Sequence, residues 1–541
     1  MKRLPIGIQT FSKIIEGDYV YADKTKYVYD LINSASYYFL SRPRRFGKSL
    51  LLDTIAEAFK GSKELFKGLW IYDSDYTFES HPVIRLDMSN ISNKTPEVLE
   101  ISLASQLRKQ IRQEGLDIID ELPSDMFKSI IEGLYEKYAQ KVVVLIDEYD
   151  KPIIDHIHDV PAAEANRLVI RGFYGVLKSM DPFLRFTFLT GVSKFAKTSV
   201  FSELNNLKDI TMTRQYANIC GIPVEDLDKY FGEHIESLKT LKEFQNCGDL
   251  RGKILEWYDG YSWDGETRVI NPFSLLTFFG QERFGAFWYA SGSPKFLIDL
   301  IKQNPGEYSN FKSLKISESM LDSADLNKLA AKPLLFQTGY LSVKEILYTS
   351  IVPTYVLGIP NNEVGVAMSE NIIASFTESG YTGAQNMRFD MDDALREGDL
   401  QKVLGILRGL FASIPYNLHV DKEAYYHSIF YAIMNVLGFK VDAEVAVSKG
   451  RIDAVLELDD KVYVIEFKFS SCPDDAGEED KAKLFEEALT GGMEQIKGRC
   501  YHKKYAGSGK TIYLAAFAFL GRDDIEMKSE CIEESLCKPQ K

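Results

Sequence analysis

Along residues 1–220, short apolar runs alternate with amphipathic stretches whose apolar positions recur at helical spacing. The strand-like runs are Tyr37–Ser41, Val83–Asp87, Val142–Ile146 and Phe186–Thr190, and helical patterns fill Pro96–Gln113 and Asp125–Tyr138. This alternation predicts an α/β domain with a largely parallel sheet.

From 221 to 360 the pattern turns to helices rich in Leu, Lys and Glu, broken by aromatic pieces at Trp257–Tyr261 and Leu335–Tyr340. Residues 361–412 read as a helical linker, with Asp393 and Glu397 on a surface face. A second α/β pattern begins at Tyr416, with a helix over Lys422–Leu437 and strands near 442–446, 452–457 and 462–468. The charged run Asp474–Lys483 reads as a solvated loop or helix start, and the polar tail after Gly521 is expected to fray. The chain is thereby divided at 1–220, 221–360, 361–412 and 413–525.

A length of 541 residues exceeds what one core can organise, in keeping with several domains. The net charge of −14 argues against a surface coated for nucleic acid, though it leaves room for one local basic groove. No pair among the 6 cysteines has C-x-x-C spacing, and the 7 histidines form no H-E-x-x-H cluster. His156 and His158, the nearest pair, fit a solvated helix end. Met1 runs directly into Lys-Arg-Leu-Pro without an apolar signal core, and no stretch approaches the ~18 apolar residues of a membrane span. The cytoplasm is the expected compartment, with no membrane partner.

The richest segment is Tyr37–Ser49, an apolar strand entering a turn, then Gly47-Lys48-Ser49 and the helical run Leu50–Ala56. This is the strand–loop–helix setting that G-x-x-x-x-G-K-[ST] requires. Gly47 lets backbone approach phosphate, and the helix amides face it. Lys48 would neutralise the β and γ phosphates and Ser49 would ligate Mg2+, with Arg44 and Arg45 as the other cations of the loop. Arg42 stands where the motif has its first glycine, which by itself admits an ordinary basic turn.

The strand Lys141–Ile146 ends in Asp147-Glu148, an arrangement in which Asp147 holds Mg2+ through water and Glu148 orients the attacking water. Phe186–Gly191 brings Thr190, a hydroxyl that could sense a γ-phosphate or simply make a turn. Together these residues point to ATP.

Nearer the C-terminus, Gly450–Glu457 and Val462–Lys468 are joined by Leu458-Asp459-Asp460-Lys461, the pattern of a hairpin. Asp453 and Glu466 can then meet at one end, with Lys468 on the same face as Glu466. Hard oxygen ligands of this kind suit Mg2+ or Mn2+, and Lys468 would position or activate a water attacking phosphorus. A half-buried strand with alternating charges is the bland alternative.

Tyr21-Ala22-Asp23-Lys24-Thr25, Arg42–Ser49, Asp147–Pro152, Thr190–Ser193 and Phe201–Leu207 resemble the bacterial AAA-ATPase-like family. The resemblance continues loosely to about 360 through Asn271-Pro272 and Leu335–Leu341. It implies a P-loop NTPase fold of the additional-strand class, followed by a winged-helix-like region, and makes an arginine-rich loop expected. It selects no arginine finger among Arg171, Arg185 and Arg214.

Residues 416–520 resemble the PD-(D/E)XK nuclease superfamily, a restriction-endonuclease-like α/β fold, through Asp453, Glu466-Phe467-Lys468, Gly450-Arg451, and Glu423 with Tyr426-His427. Gln495 and Tyr501 on the following helix extend the match. In this resemblance Asp453 and Glu466 are metal ligands, Lys468 is catalytic, and Glu423 and Gln495 support the site.

The leading expectation is an ATPase controlling a metal-dependent DNA nuclease directed at foreign or mobile DNA; a homo-oligomeric state stays open. The competing expectation is a nucleotide-switched signalling or scaffold ATPase whose C-terminal domain only binds, which overall acidity mildly favours. A small-molecule kinase would account for Lys48 and Asp147 but leave the C-terminal region without a task.

Overall fold

A computed structural model describes residues 1–194, 206–288, 314–321, 331–348, 351–376, 380–412, 440–447, 450–470, 477–498, 501–505, 508–520 and 524–532. They form two compact units. One is built from Met1–Trp288 and Lys312–Asn361, and the other holds the residues from Asn362 onward.

In the first unit, strands β1 (Tyr37–Ser41), β2 (Val83–Asp87), β3 (Val142–Asp147), β4 (Leu184–Gly191) and β5 (Lys208–Asp209) make a parallel sheet in the order β2-β3-β4-β1-β5. Every residue of β1 and β3 is buried, as strands covered by helices on both faces must be. The helices are α1 (Phe11–Glu16), α2 (Thr25–Ser34), α3 (Lys48–Phe59), α4 (Pro96–Glu114), α5 (Pro123–Tyr138), α6 (Lys151–Ile154) and α7 (Val160–Ser179). Helix α4 starts where the Thr95 hydroxyl accepts from the Val98 amide, with Pro96 in its first turn, and ends at Gly115 with φ 63°. All five strands point the same way, so the loops after β1, β3 and β4 share one edge, where α/β sheets bind ligands.

The same unit continues as helices Val224–Lys239, Leu250–Tyr258, Pro272–Gln281 and Ala331–Thr338, with a strand pair β6 (Ile222–Pro223) and β7 (Val269–Ile270). The helical reading of this stretch missed a small antiparallel sheet, β8 (Leu314–Ser317), β9 (Ser342–Leu347) and β10 (Thr354–Gly358), in the order β8-β10-β9. The core here gathers Phe231, Phe278, Tyr258, Leu275 and Ile254 with Val20 from the N-terminal segment.

The second unit opens with helices Asn362–Phe376, Gly380–Glu397 and Leu400–Ala412. Its sheet runs β11 (Lys440–Val447), β12 (Gly450–Glu457), β13 (Lys461–Ser470), β14 (Thr511–Leu520), β15 (Asp524–Ile532) in that order. Only β13–β14 is parallel, and the helix Glu478–Gly498 makes that crossover. Glu478 opens this helix inside the charged run expected as loop or helix start.

Within the tail after Gly521, the described residues Asp524–Ile532 are a strand and not a frayed end, pairing antiparallel with β14 along its length. Ile525 and Met527 turn inward, while Ser529 and Glu530 face solvent. An edge strand with one wet face carries few apolar residues, which is why its sequence reads as a tail.

Candidate functional site

The first site grows from the turn between β1 and α3. Gly47 has φ 92° and nothing within 4 Å of the position a Cβ would take, so the loop stays open where the helix amides begin. Lys48 is the first residue of α3, buried, with Nζ donating to the Arg42 and Pro43 carbonyls at 2.9 Å each. Burial lowers its pKa, opposed by Asp147, Glu148 and Asp150. Ser49 follows on the same turn, and Arg44 and Arg45 are exposed.

Arg42 does something the motif's glycine could not. Its fully buried guanidinium donates to the Ser41 and Thr211 carbonyls at 2.9 and 2.8 Å and to Tyr216 at 3.3 Å. It also lies over the Trp263 ring, 3.9 Å from the centroid. Burial pushes it down to about 10, leaving it charged at neutral pH. Arg42 is therefore a strut that shapes the loop from beneath.

Other residues of the middle region hold the loop from its sides. Phe46 packs edge-on to Tyr261 at 4.8 Å, and Arg45 lies over Phe273 at 3.8 Å. The Trp288 indole donates to the Arg44 carbonyl at 3.0 Å, and the Phe46 carbonyl accepts from the Gly221 amide at 3.1 Å. Asn271-Pro272 has a plain purpose: the Asn271 side chain caps the helix that presents Phe273.

Asp147 closes β3 and is buried, its Oδ1 accepting from the Thr190 hydroxyl at 2.6 Å and the Glu148 amide at 3.0 Å. Glu148 is half-buried with φ 50°, and burial raises its pKa against the pull of Lys48. Sequence reasoning gave Asp150 no part. It is fully buried and accepts from the Val192 amide at 3.1 Å and from the Ser193 amide and hydroxyl at 2.6 Å each, which fixes the turn leaving β4. Gly191 is required there, since a Cβ would come within 2.5 Å of the Tyr149 ring.

One other expectation resolves differently. His156 is half-buried with Nε2 2.7 Å from the Asn93 carbonyl, so it is no solvated helix end. Arg185 is the second residue of β4, near the opposite end of the strand from Thr190, where it donates to the Ile32 carbonyl, and Arg214 ion-pairs with Glu266.

In the second unit β12 and β13 form the expected hairpin, closed where the Leu458 amide meets the Lys461 carbonyl. The last paired residues are Ala454 and Ile465, and the next along each strand are Asp453 and Glu466. There the Asp453 carboxylate accepts from the Phe467 amide at 2.9 Å. Glu466 is buried, and its Oε1 takes Lys468 Nζ at 3.2 Å and the Gln495 amide. Lys468 Nζ also donates to Gln495 Oε1 at 2.9 Å.

Gln495 reaches the strand because its helix lies close. A Cβ on Gly492, three residues earlier and on the same face, would stand 2.9 Å from Ala516 Cβ and 3.5 Å from Lys468 Cγ. Glu423, with Tyr426 and His427, lies outside the described residues, as do the side chains of Arg451 and Tyr501. Among the described residues no cluster of three or more His, Cys, Asp or Glu could hold a metal. Asp453 and Glu466 are nonetheless hard oxygen donors side by side, a set that fits magnesium or manganese completed by water.

A parallel sheet with a Gly-Lys-Ser loop and a mixed sheet with two acids and a lysine define a P-loop ATPase-like protein carrying a nuclease-superfamily domain. Residues 5–201 match the family described as predicted AAA-ATPase, and residues 421–529 match the PD-(D/E)XK nuclease superfamily. A protein of Azotobacter chroococcum mcd 1, described as an uncharacterized protein in the vnfD 5′ region, is 34% identical over 524 residues, 96% of each chain. The chain belongs to the same family as that protein. The Aeropyrum pernix ORC2 protein, in its ADPNP-ADP complexes, is similar at 12% identity and a TM-score of 0.25, covering 64% of this chain and 93% of that one. No helix among the described residues is long and apolar enough to cross a membrane.

Proposed function

We propose that the chain is a cytoplasmic ATPase whose nucleotide state governs a magnesium- or manganese-dependent nuclease acting on DNA, foreign or mobile DNA being the intended target. The observation that carries this reading is that both units gather acid, lysine and hydroxyl or amide partners at a strand end. One set is Lys48, Asp147, Glu148 and Thr190, and the other is Asp453, Glu466, Lys468 and Gln495. We divide the labour along 1–220 for ATP, 221–412 for transmission and 413–525 for cleavage.

In the nucleotide site Lys48 exchanges the Arg42 and Pro43 carbonyls for the β and γ phosphates, with Arg44 and Arg45 at the open side. Ser49 and Asp147 hold the magnesium that accompanies ATP. Glu148 orients the attacking water, and its burial-raised pKa makes it a better proton acceptor than an exposed carboxylate.

In the nuclease site a divalent ion held by Asp453 and Glu466 would supply Lewis acidity at the scissile phosphodiester. Lys468, fixed between Glu466 and Gln495, orients the water that attacks phosphorus. Glu423 completes the set in this reading.

The test incubates the purified protein with plasmid, linear and single-stranded DNA, with and without ATP and manganese. Cleavage that depends on metal and changes with ATP supports the reading. Nucleotide-dependent assembly without cleavage under any condition would favour the signalling or scaffold alternative instead.

A further inference from the structure

The segment Gln337–Tyr340 touches both loops that frame the nucleotide site. Gln337 is 4% exposed; its Oε1 accepts from the Lys194 amide at 2.9 Å and its Nε2 donates to the Leu321 carbonyl at 2.8 Å. Lys194 is next to Ser193, which Asp150 holds, and four residues beyond Thr190, which bonds Asp147. Two residues after Gln337, Gly339 has φ 93° and packs on the phosphate loop, where a Cβ would lie 2.9 Å from Pro43 Cβ and Cγ. Tyr340 then meets the Trp288 ring at 5.3 Å, and that indole holds the Arg44 carbonyl.

We infer that Gln337 is a positioning residue of the ATPase site, and that Gln337–Tyr340 reads whether a γ-phosphate is present. The inference rests on the ATPase reading above. A γ-phosphate engages the end of β4 and the phosphate loop together, whereas ADP engages the loop alone. A segment joined to both feels the difference between the two states, because a ligand shifts an equilibrium solely through its differential contacts. Gln337 fixes the β4 side, Gly339 lets the backbone lie on the loop side, and Trp288 carries the difference to its own ring.

The experiment compares ADP with a non-hydrolysable ATP analogue in wild type, Gln337→Met and Gln337→Glu, reading ATPase rates, nucleotide affinities and tryptophan emission. Trp288→Phe identifies the Trp288 share of the emission. In wild type the two nucleotides should give different emission. In Gln337→Met kcat should fall about tenfold and that difference should vanish, with KM and ADP affinity within about twofold of wild type. Gln337→Glu keeps an acceptor for the Lys194 amide but loses the donor to the Leu321 carbonyl, and should recover kcat in part.

A residue of purely structural importance would instead lower the melting temperature and both affinities together. In the wild-type protein, hydrogen exchange at the Lys194 amide should differ between ADP and the analogue, a readout that needs no variant to fold. Equal exchange in the two states, or wild-type kcat and emission in Gln337→Met, overturns the inference. A wild type that binds no nucleotide overturns the ATPase reading itself.

Discussion

Thr190 donates its hydroxyl to Asp147 at 2.6 Å, across two neighbouring parallel strands at the edge where the phosphate loop lies. The Glu148 amide reaches the same Oδ1, so neither bond engages Oδ2, which in the proposed nucleotide site would be the oxygen available to a metal. Thr190→Val keeps the shape and removes the bond. It should lower kcat for ATP by about tenfold while leaving ATP affinity within about threefold. Steady-state kinetics and calorimetry check the split.

Lys48 and Glu148 should separate binding from hydrolysis. Lys48→Ala removes the ammonium now resting on two loop carbonyls, and ATP affinity should fall by about a hundredfold or more. Glu148→Gln should bind ATP normally and lose turnover by about a hundredfold. Loss of binding in Glu148→Gln would give that residue a structural role.

Arg42 should resist even conservative exchange. Lysine cannot reach three carbonyls and stack on Trp263 at once, and it leaves buried acceptors without donors. Arg42→Lys should destabilise the first unit by about 3 kcal/mol, seen as a lower denaturation midpoint, and weaken nucleotide binding with it.

Asp453→Ala and Lys468→Ala should each abolish DNA cleavage and leave ATP hydrolysis near wild type, since they lie in the second unit. Cleavage persisting in both would place the nuclease activity elsewhere.

Lys24 offers a pH signature. Burial pushes its pKa down to about 8 from an ordinary 10.5, against the attraction of Asp226. Below about pH 8 it is charged in folded and unfolded chains alike, and folding bears the full burial cost. Between there and the unfolded pKa the unfolded chain binds more protons, so stability rises with pH. The gain is about 3 kcal/mol over that window. Denaturation midpoints across it should rise in wild type and show a flatter slope in Lys24→Met.

Much of this was readable from local pattern. β1 coincides with the apolar run Tyr37–Ser41, because a strand buried on both faces must be written as one, and β2 coincides with Val83–Asp87, where the exposed Arg85 fits an edge strand. The Asp453–Glu466–Lys468 hairpin was legible because a short polar turn and period-two alternation fix register. Arg42 was read as a lost glycine because its partners, Thr211, Tyr216 and Trp263, are far away in sequence. Asp150 and Gln337 escaped for the same reason, since their partners are far away in sequence and most of them are backbone amides and carbonyls. β15 escaped because its solvent face is charged.

The strut beneath the phosphate loop also sets what can be moved between proteins. A loop shaped by glycine is a portable cassette, since its form is written within its own few residues. Here the form is completed by Trp263, Phe273, Trp288 and Gly339, contributed from well downstream. Grafting the segment into another chain, or trimming this one after residue 220, would strand a buried arginine without its aromatic lid. Nucleotide competence is thus inherited jointly by two stretches of sequence, and a substitution in either becomes tolerable or ruinous according to what the other has retained.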